Sequence, residues 1–573
     1  MDFKKVFNSL FAYHPPVEYD FNLAEDINTD DSQTNEDKEN ILQNASKQIY
    51  SSLQVNLEFM QTVYNTMINS DIILREFTVN ARGKQYNAFI ICIDGMINSE
   101  ILNKFILEPL MLRNKNNLFE GPQNKVISEA VTNNITVRKV KKFDLSNYLM
   151  SCLMPQNSIK QFNEFAQIIS GINSGNCALF VDTLNVAFDI EVKGFKQRSV
   201  DTPSNEIVIK GPHEAFVENI RTNTSLLRRV INNENLVVEN LEIGKITKTK
   251  CAVCYMPDIT NSDLINEVKY RLNNLEIDSL LSSGELEQLI SDTNHLGVPE
   301  TMSTERPDKA GKFLLNGRVI VLVDGTPQAI IMPAILIDFL TSPEDTNMKV
   351  SFANFLRGLR LLAAFITLLL PGLYVAITSF HQEILPTSLL YSILASRENV
   401  PFPVILEILL MEISFELIRE AGLRVPSPIG PTIGIVGALV LGQAAVSAGI
   451  VSPILIILVA ITGIASFAIP DFSFGFHLRY FRFLFILLGF MAGFLGISLG
   501  FFVYVSLLCS LRSFGLSFLT PYAPTTNSNG NAYLLKPMWK REFRPSFIAS
   551  KKTKEQEKYA MKWKYHFQNK TRR

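Results

Sequence analysis

The chain has 573 residues, enough for several domains, and its 54 Lys and Arg against 55 Asp and Glu leave a formal charge of −1. That balance removes the global basicity expected of a nucleic-acid binder, so nucleic acid is not an expected partner. Six cysteines in this length do not make a disulfide framework, and the opening "MDFKKVFNSLFAYHPP" has no apolar core long enough for a signal peptide.

The even balance hides an asymmetry along the chain. Residues 17–40 hold nine acids against Lys38, while residues from 521 onward hold thirteen Lys and Arg against three Glu. The polar, acidic composition of residues 1–46 predicts a disordered extension. A helix is predicted over 46–69, from Ile49, Leu53, Leu57, Met60, Val63 and Met67 at helical spacing.

A motif then recurs. "YNAFIICIDGMINSEILNKFILEPLM" reads as strand, Asp-Gly turn and helix, and "NCALFVDTLNVAFDIEV" as two strands about a turn at Asp182. "KCAVCYMPDITNSDLINEVKYRLNNL" repeats strand, turn and helix, with Ser262 as the expected cap, and "GRVIVLVDGTPQAII" repeats strand and Asp-Gly. Strands alternating with helices predict a soluble α/β region over 47–325, in two subdomains with a boundary near 155–200. Within it, Cys251 and Cys254 form a CxxC, but on a buried strand residues three apart point to opposite faces. No second CxxC or nearby His completes a metal site, so these are read as core residues.

"GPHEAFVENIRTNTSLLRRVI", residues 211–231, reads as a helix started by Gly-Pro. Phe216, Ile220, Leu227 and Ile231 share one face; Glu214, Glu218, Arg221, Ser225 and Arg228 share the other. That charged back is either a solvated, salt-bridged surface or a docking surface.

Residues 326–350 are expected to be an apolar connector or interfacial helix, and after 350 the composition changes. Leu361–Phe380, Val425–Pro470 and Phe483–Leu511 are charge-free runs of 20, 46 and 29 residues, long enough to cross hydrocarbon. They predict an all-α, multi-pass membrane domain over 351–519, followed by a basic cytoplasmic tail over 520–573. Lys349, Arg357 and Arg360 before the first run, with the basic tail, predict both termini in the cytoplasm and hence an even number of crossings. The visible segments are five (357–380, 402–418, 429–450, 453–470 and 483–511), so four to six spans are expected. The last is too long for one upright helix and short for a hairpin.

No catalytic constellation emerges. The six histidines are scattered, no HExxH or Walker pattern occurs, and neither enzyme activity nor a metal or cofactor is expected. His381 and Glu383 read as interface anchors. Two membrane features stand out. Glu407, Glu412 and Glu416 are either carboxylates at bilayer depth, kept where they meet water, ions or a cationic partner, or the acids of an interfacial helix, in water or paired with Arg419. Val436, Val440, Gln443 and Ser447 form a stripe beside small residues, either ordinary packing or the lining of a narrow constriction that gates by dewetting.

From the residue 211–231 stretch, "GRVIVLVDGTP", the long run from "FHQEILPTSLLYSILASRENVPFP" to "GQAAVSAGIVSP", and "CSLRSFG", the chain resembles the A subunit of GerA-type spore germination receptors over about 47–520. The resemblance implies a nutrient-sensing complex in the inner membrane of a bacterial spore, working with a permease-like B subunit and a lipoprotein C subunit. It also implies a homo-oligomer forming a nutrient-gated ion channel. In such an assembly Glu218, Arg221 and Arg228 are candidates for contact between subunits. A solute transporter and a non-conducting scaffold for the other subunits are the alternatives.

Overall fold

The computed structural model describes residues 48–81, 84–112, 144–194, 203, 205–292, 297–424, 442–526 and 533–555. The N-terminal extension, the last part of the basic tail, Val436 and Val440 lie outside them.

Two five-stranded sheets dominate the first 340 residues, and they share one topology. β1 (Ile72–Ala81), β2 (Lys84–Ile93), β3 (Ile159–Phe162), β4 (Cys177–Val181) and β5 (Ala187–Ile190) assemble in the order β1-β2-β4-β5-β3. β6 (Val237–Ile243), β7 (Thr249–Tyr255), β8 (Met302–Thr304), β9 (Val319–Val323) and β10 (Ala329–Met332) assemble as β6-β7-β9-β10-β8. Every pairing is antiparallel. Ala329–Met332, expected in the connector, is therefore an interior strand; its all-apolar run suits a position buried on both faces.

Helices repeat in the same places. α1 (Leu53–Tyr64) precedes the first sheet, and α2 (Phe165–Asn173) precedes β4. In the second half α3 (Ile220–Val230) precedes β6, α4 (Ser262–Asn273) and α5 (Ser283–Ile290) follow β7, and α6 (Pro307–Leu315) precedes β9. The repeat extends to single bonds. Asp182 accepts from the first backbone N–H of α1 (3.3 Å), and Asp324 from that of α3 (3.0 Å). Asn98 and Asn261 each cap the helix after the second strand, so the cap of α4 is Asn261 and not Ser262. The strand carrying Cys251 and Cys254 is as expected: both are buried, on opposite faces of the sheet. Burial pushes both thiols up to about 12.

Two helices are shorter than their patterns. α1 stops at Tyr64 because Asn65 turns left-handed, and α3 begins at Ile220, not at Pro212. There Asn219 caps the helix, and the Asp324-Gly325 turn holds its start, Gly325 N–H donating to Glu218 O (2.8 Å).

The last repeated feature comes from far away in sequence. After β5 the chain runs directly beside the turn that follows β2, where Gly194 N–H donates to Met96 O (3.2 Å). After β10 the chain instead leaves for the helical region. The matching position is filled by the C-terminal tail, Lys551 N–H donating to Ile259 O (2.9 Å). Gly175 and Gly317 hold the same backbone angle beside these two strips, and a side chain on Gly317 would collide with Ser550. Phe547 and Ile548 of the tail are buried in the core of the second half.

The helical region comprises α7 (Val350–Phe380), α8 (Thr387–Arg397), α9 (Val404–Arg424), α10 (Pro453–Phe467) and α11 (Phe472–Ser510). α7 and α11 are long and apolar enough to cross a bilayer. α11 is not one rod: Ala492 and Gly493 leave helical geometry, Gly493 with φ +58°. The chain folds back there, because Tyr504 hydrogen-bonds His477 (3.0 Å) and packs tilted against the Phe481 ring and edge-on to that of Phe485, residues far out of reach on a straight helix. The run that is too long for one span is a hairpin with arms 472–491 and 494–510. Gly372 of α7 lies against the backbone of Phe485 and Gly489, the close approach that small residues permit.

Both ends of the hairpin return to the second half of the sheet region. Phe474 stacks on Phe339 (5.7 Å), and Leu336 N–H donates to Phe518 O (2.9 Å). The base of α7 is held likewise, Arg357 and Arg360 closing on buried Asp345 (2.9 and 2.8 Å).

Candidate functional site

A ladder of ion pairs runs between α9 and its neighbours. On α9, Glu412 and Glu416 lie one turn apart on one face. On the first hairpin arm, Arg479 and Arg482 do the same, and the two helices run antiparallel so that the pairs meet. Arg482 Nη2 is 2.9 Å from Glu412 Oε2 and donates to Glu416 Oε1 at 3.1 Å. Arg479 Nη1 donates to Glu416 Oε2 at 3.0 Å. Further along, Glu407 is held by Arg397 of α8 (3.1 Å) and by the backbone N–H of Ser452 (3.2 Å). Arg482 and Glu412 are almost fully buried.

These three carboxylates therefore meet the third of their expected environments, a cationic partner. Charges in such surroundings persist only when paired, since an isolated one would neutralise or force the helices apart. Arg419 is not the partner of Glu416; it donates to Ser466 (3.2 Å) and lies over the Phe467 ring. The partners were visible in the sequence as the two basic residues of 472–510, but they mark the edge of a charge-free run and so read as a membrane boundary.

The expected pore stripe is half visible. Gln443 and Ser447 are both exposed, in a helical stretch whose Ala445 packs into the core between α7, α9 and α10. Val436 and Val440 lie outside the described residues.

The expected subunit contacts are used differently. Arg228 is buried, and its guanidinium is bidentate on Asp71 (2.9 and 2.7 Å) with a third bond to Asn69 (3.2 Å). Asp71 and Asn69 lie just before β1, in the first half, whereas Arg228 belongs to the second. Asn69 also accepts from Val238 N–H (3.0 Å), and Ser70 N–H donates to Val238 O (2.9 Å). Arg221 pairs with Asp94 of the first half's Asp-Gly turn, and Gly95 fits directly against the α3 backbone. The back of α3 thus joins the two halves of one chain; Arg228, enclosed here, is not available to a neighbouring subunit. Glu218 stays exposed at the foot of the helix. The charged file misled because a buried polar seam has the same periodicity as a solvated face.

A model of the family described as Bacillus/Clostridium GerA spore germination protein matches residues 58–547. Spore germination protein KA of Bacillus subtilis (strain 168) is 38% identical over 482 residues, 84% of this chain and 84% of that one. Spore germination protein A1 of the same strain is 41% identical over 353 residues, 62% of this chain and 73% of that one. The crystal structure of the N-terminal domain of the A subunit of the Bacillus megaterium spore germinant receptor GerK3 aligns at 29% identity over 50% of this chain and 97% of that one, with a TM-score of 0.35. The family match spans both sheets, the ion-pair ladder and the hairpin, and the chain belongs to the GerA family of spore germination proteins.

Proposed function

We propose that this chain is the A-type subunit of a nutrient-responsive germinant receptor in the spore inner membrane. In this reading several copies surround a shared, nutrient-gated ion path, with a permease-like B subunit and a lipoprotein C subunit as partners. The chain does no covalent chemistry. The helices cross the membrane six times. α7 and the first hairpin arm run away from the sheets, whereas α9, α10 and the second arm run back, and the expected span 429–450 supplies the remaining outward crossing. Six crossings leave both termini on the sheet side, which fits the basic residues at the base of α7 and in the tail.

The observation that carries the channel reading is the pairing of Glu407, Glu412 and Glu416. With these carboxylates occupied by arginine, ions need another polar path, and the exposed Gln443 and Ser447 belong to the stripe that Val436 and Val440 begin in the sequence. The test is cation release from vesicles holding the purified receptor with Gln443→Cys in this chain. A thiol reagent is expected to block nutrient-triggered release, and Val440→Ala to give release without nutrient. Normal, reagent-insensitive flux together with an unchanged nutrient requirement would remove the stripe from the ion path.

A further inference from the structure

Beyond the helices, the tail offers a second surface. Residue 533 onward returns to the foot of α7 and is pinned there. Tyr533 O accepts from Arg357 Nη1 (2.7 Å), its hydroxyl donates to Arg357 O, and Leu535 makes two hydrogen bonds with the Asn354 side chain (2.8 and 3.1 Å). The pinning turns Leu535 inward and its neighbours outward. Leu534, Met538 and Trp539 are 59%, 62% and 47% exposed, beside Lys536, Lys540 and Arg541. Phe352 and Phe355, on the same turns of α7, are also exposed.

The height of this cluster follows from helix geometry. Asn354 precedes Leu361, where the charge-free run starts, by about 10 Å of helix. The headgroup layer adds roughly 5–8 Å beyond each hydrocarbon face; Arg357, which holds Tyr533, is about 6 Å before Leu361, so the strip starts within that layer and Leu535 lies at its outer edge. Tryptophan and long apolar side chains mixed with Lys and Arg are the composition that settles among headgroups, the rings at the acyl boundary and the cations on phosphate. Glu542 is the acid adjoining the cluster in sequence. A protein partner would be expected to bring a complementary apolar patch to one side; the exposed rings here lie instead on both α7 and the tail.

We propose that residues 534–541 form a headgroup-level anchor that binds anionic phospholipid, tying the tail to the membrane surface. The proposal rests on the reading that α7 crosses the bilayer.

The chain has two tryptophans, Trp539 and Trp563, so Trp563→Phe makes Trp539 the sole tryptophan reporter of the full-length protein. In nanodiscs containing phosphatidylglycerol, its fluorescence is expected to shift to the blue and to be quenched by lipids brominated near the glycerol. Discs of phosphatidylcholine alone should quench it less, and Lys536→Gln with Lys540→Gln and Arg541→Gln should abolish that difference. Emission insensitive to brominated lipid, whether red or blue, would overturn the anchor, the blue case meaning that protein covers Trp539. Equal quenching in both kinds of disc would overturn its anionic preference and the proposal with it. Release of the chain from membranes by alkaline carbonate would instead overturn the spanning reading, so the two failures are distinguishable.

Discussion

Two of the buried sets of arginine–carboxylate pairs in this molecule lie in contrasting surroundings, one between the halves of the sheet region and one among the apolar helices. In the first, Arg228 meets both oxygens of Asp71 and also Asn69, which itself accepts from the Val238 backbone. In the second, Glu412 is fully buried with Arg482 at 2.9 Å, and the same guanidinium must also serve Glu416. The first is a polar seam with amides and backbone to share the load. The second is a chain of charges in which each group has few substitutes. Breaking a pair should therefore cost more among the helices.

The sharpest way to test that contrast is Arg482→Ala, which strands buried Glu412 and leaves Glu416 to Arg479 alone. Removing one partner of a buried pair costs about 3–5 kcal/mol, and this site is expected at the upper end. Thermal unfolding in detergent should show a large fall, and combining Arg482→Met with Glu412→Leu should recover much of it, since Glu416 keeps Arg479. A single Arg482→Ala variant as stable as the parent would mean the ladder is not structural. Arg228→Ala should destabilise by about 3 kcal/mol and speed proteolysis between the halves. If it exceeds the Arg482 effect, the ranking is reversed. Arg221→Glu breaks a pair that is partly exposed on both sides, so the expected loss is below about 1 kcal/mol; denaturant titration beside the Arg228 variant measures the difference.

The smallest effect concerns thiols. Burial holds Cys251 and Cys254 protonated, with values pushed up to about 12, well above an ordinary thiol near 8.5. As pH rises from 7 to 9 an exposed thiol ionises and reacts with iodoacetamide, whereas these two should stay inert until the protein unfolds. The exposed Cys152 serves as the internal control. Rapid alkylation of Cys251 or Cys254 in the folded chain would contradict their place in the core.

Much of the sheet region could be read from local pattern. The apolar runs of β2, β4, β7 and β9 each end in an Asp turn, and that combination is visible without tertiary knowledge. The start of α3 could not be read that way. Gly-Pro at 211–212 resembles a helix start, but the true start is held by Asp324, more than a hundred residues later. In the helical region α9 announced its carboxylates, whereas Arg479 and Arg482 were hidden because a charge beside an apolar run looks the same whether it faces water or a buried partner. The hairpin was concealed for a related reason: hydropathy measures length, and the fold-back at Gly493 depends on one backbone angle and on His477 reaching Tyr504.

The tail strip beside Gly317 has a consequence for how the molecule is made. The first half can close as soon as residue 194 has left the ribosome, because its final strip follows β5 directly. The second half waits for Ser550 and Lys551, which are synthesised only after every apolar helix from Val350 to Ser510. Its completion thus reports that the intervening helices have been made and that the hairpin has brought the chain back to the sheets.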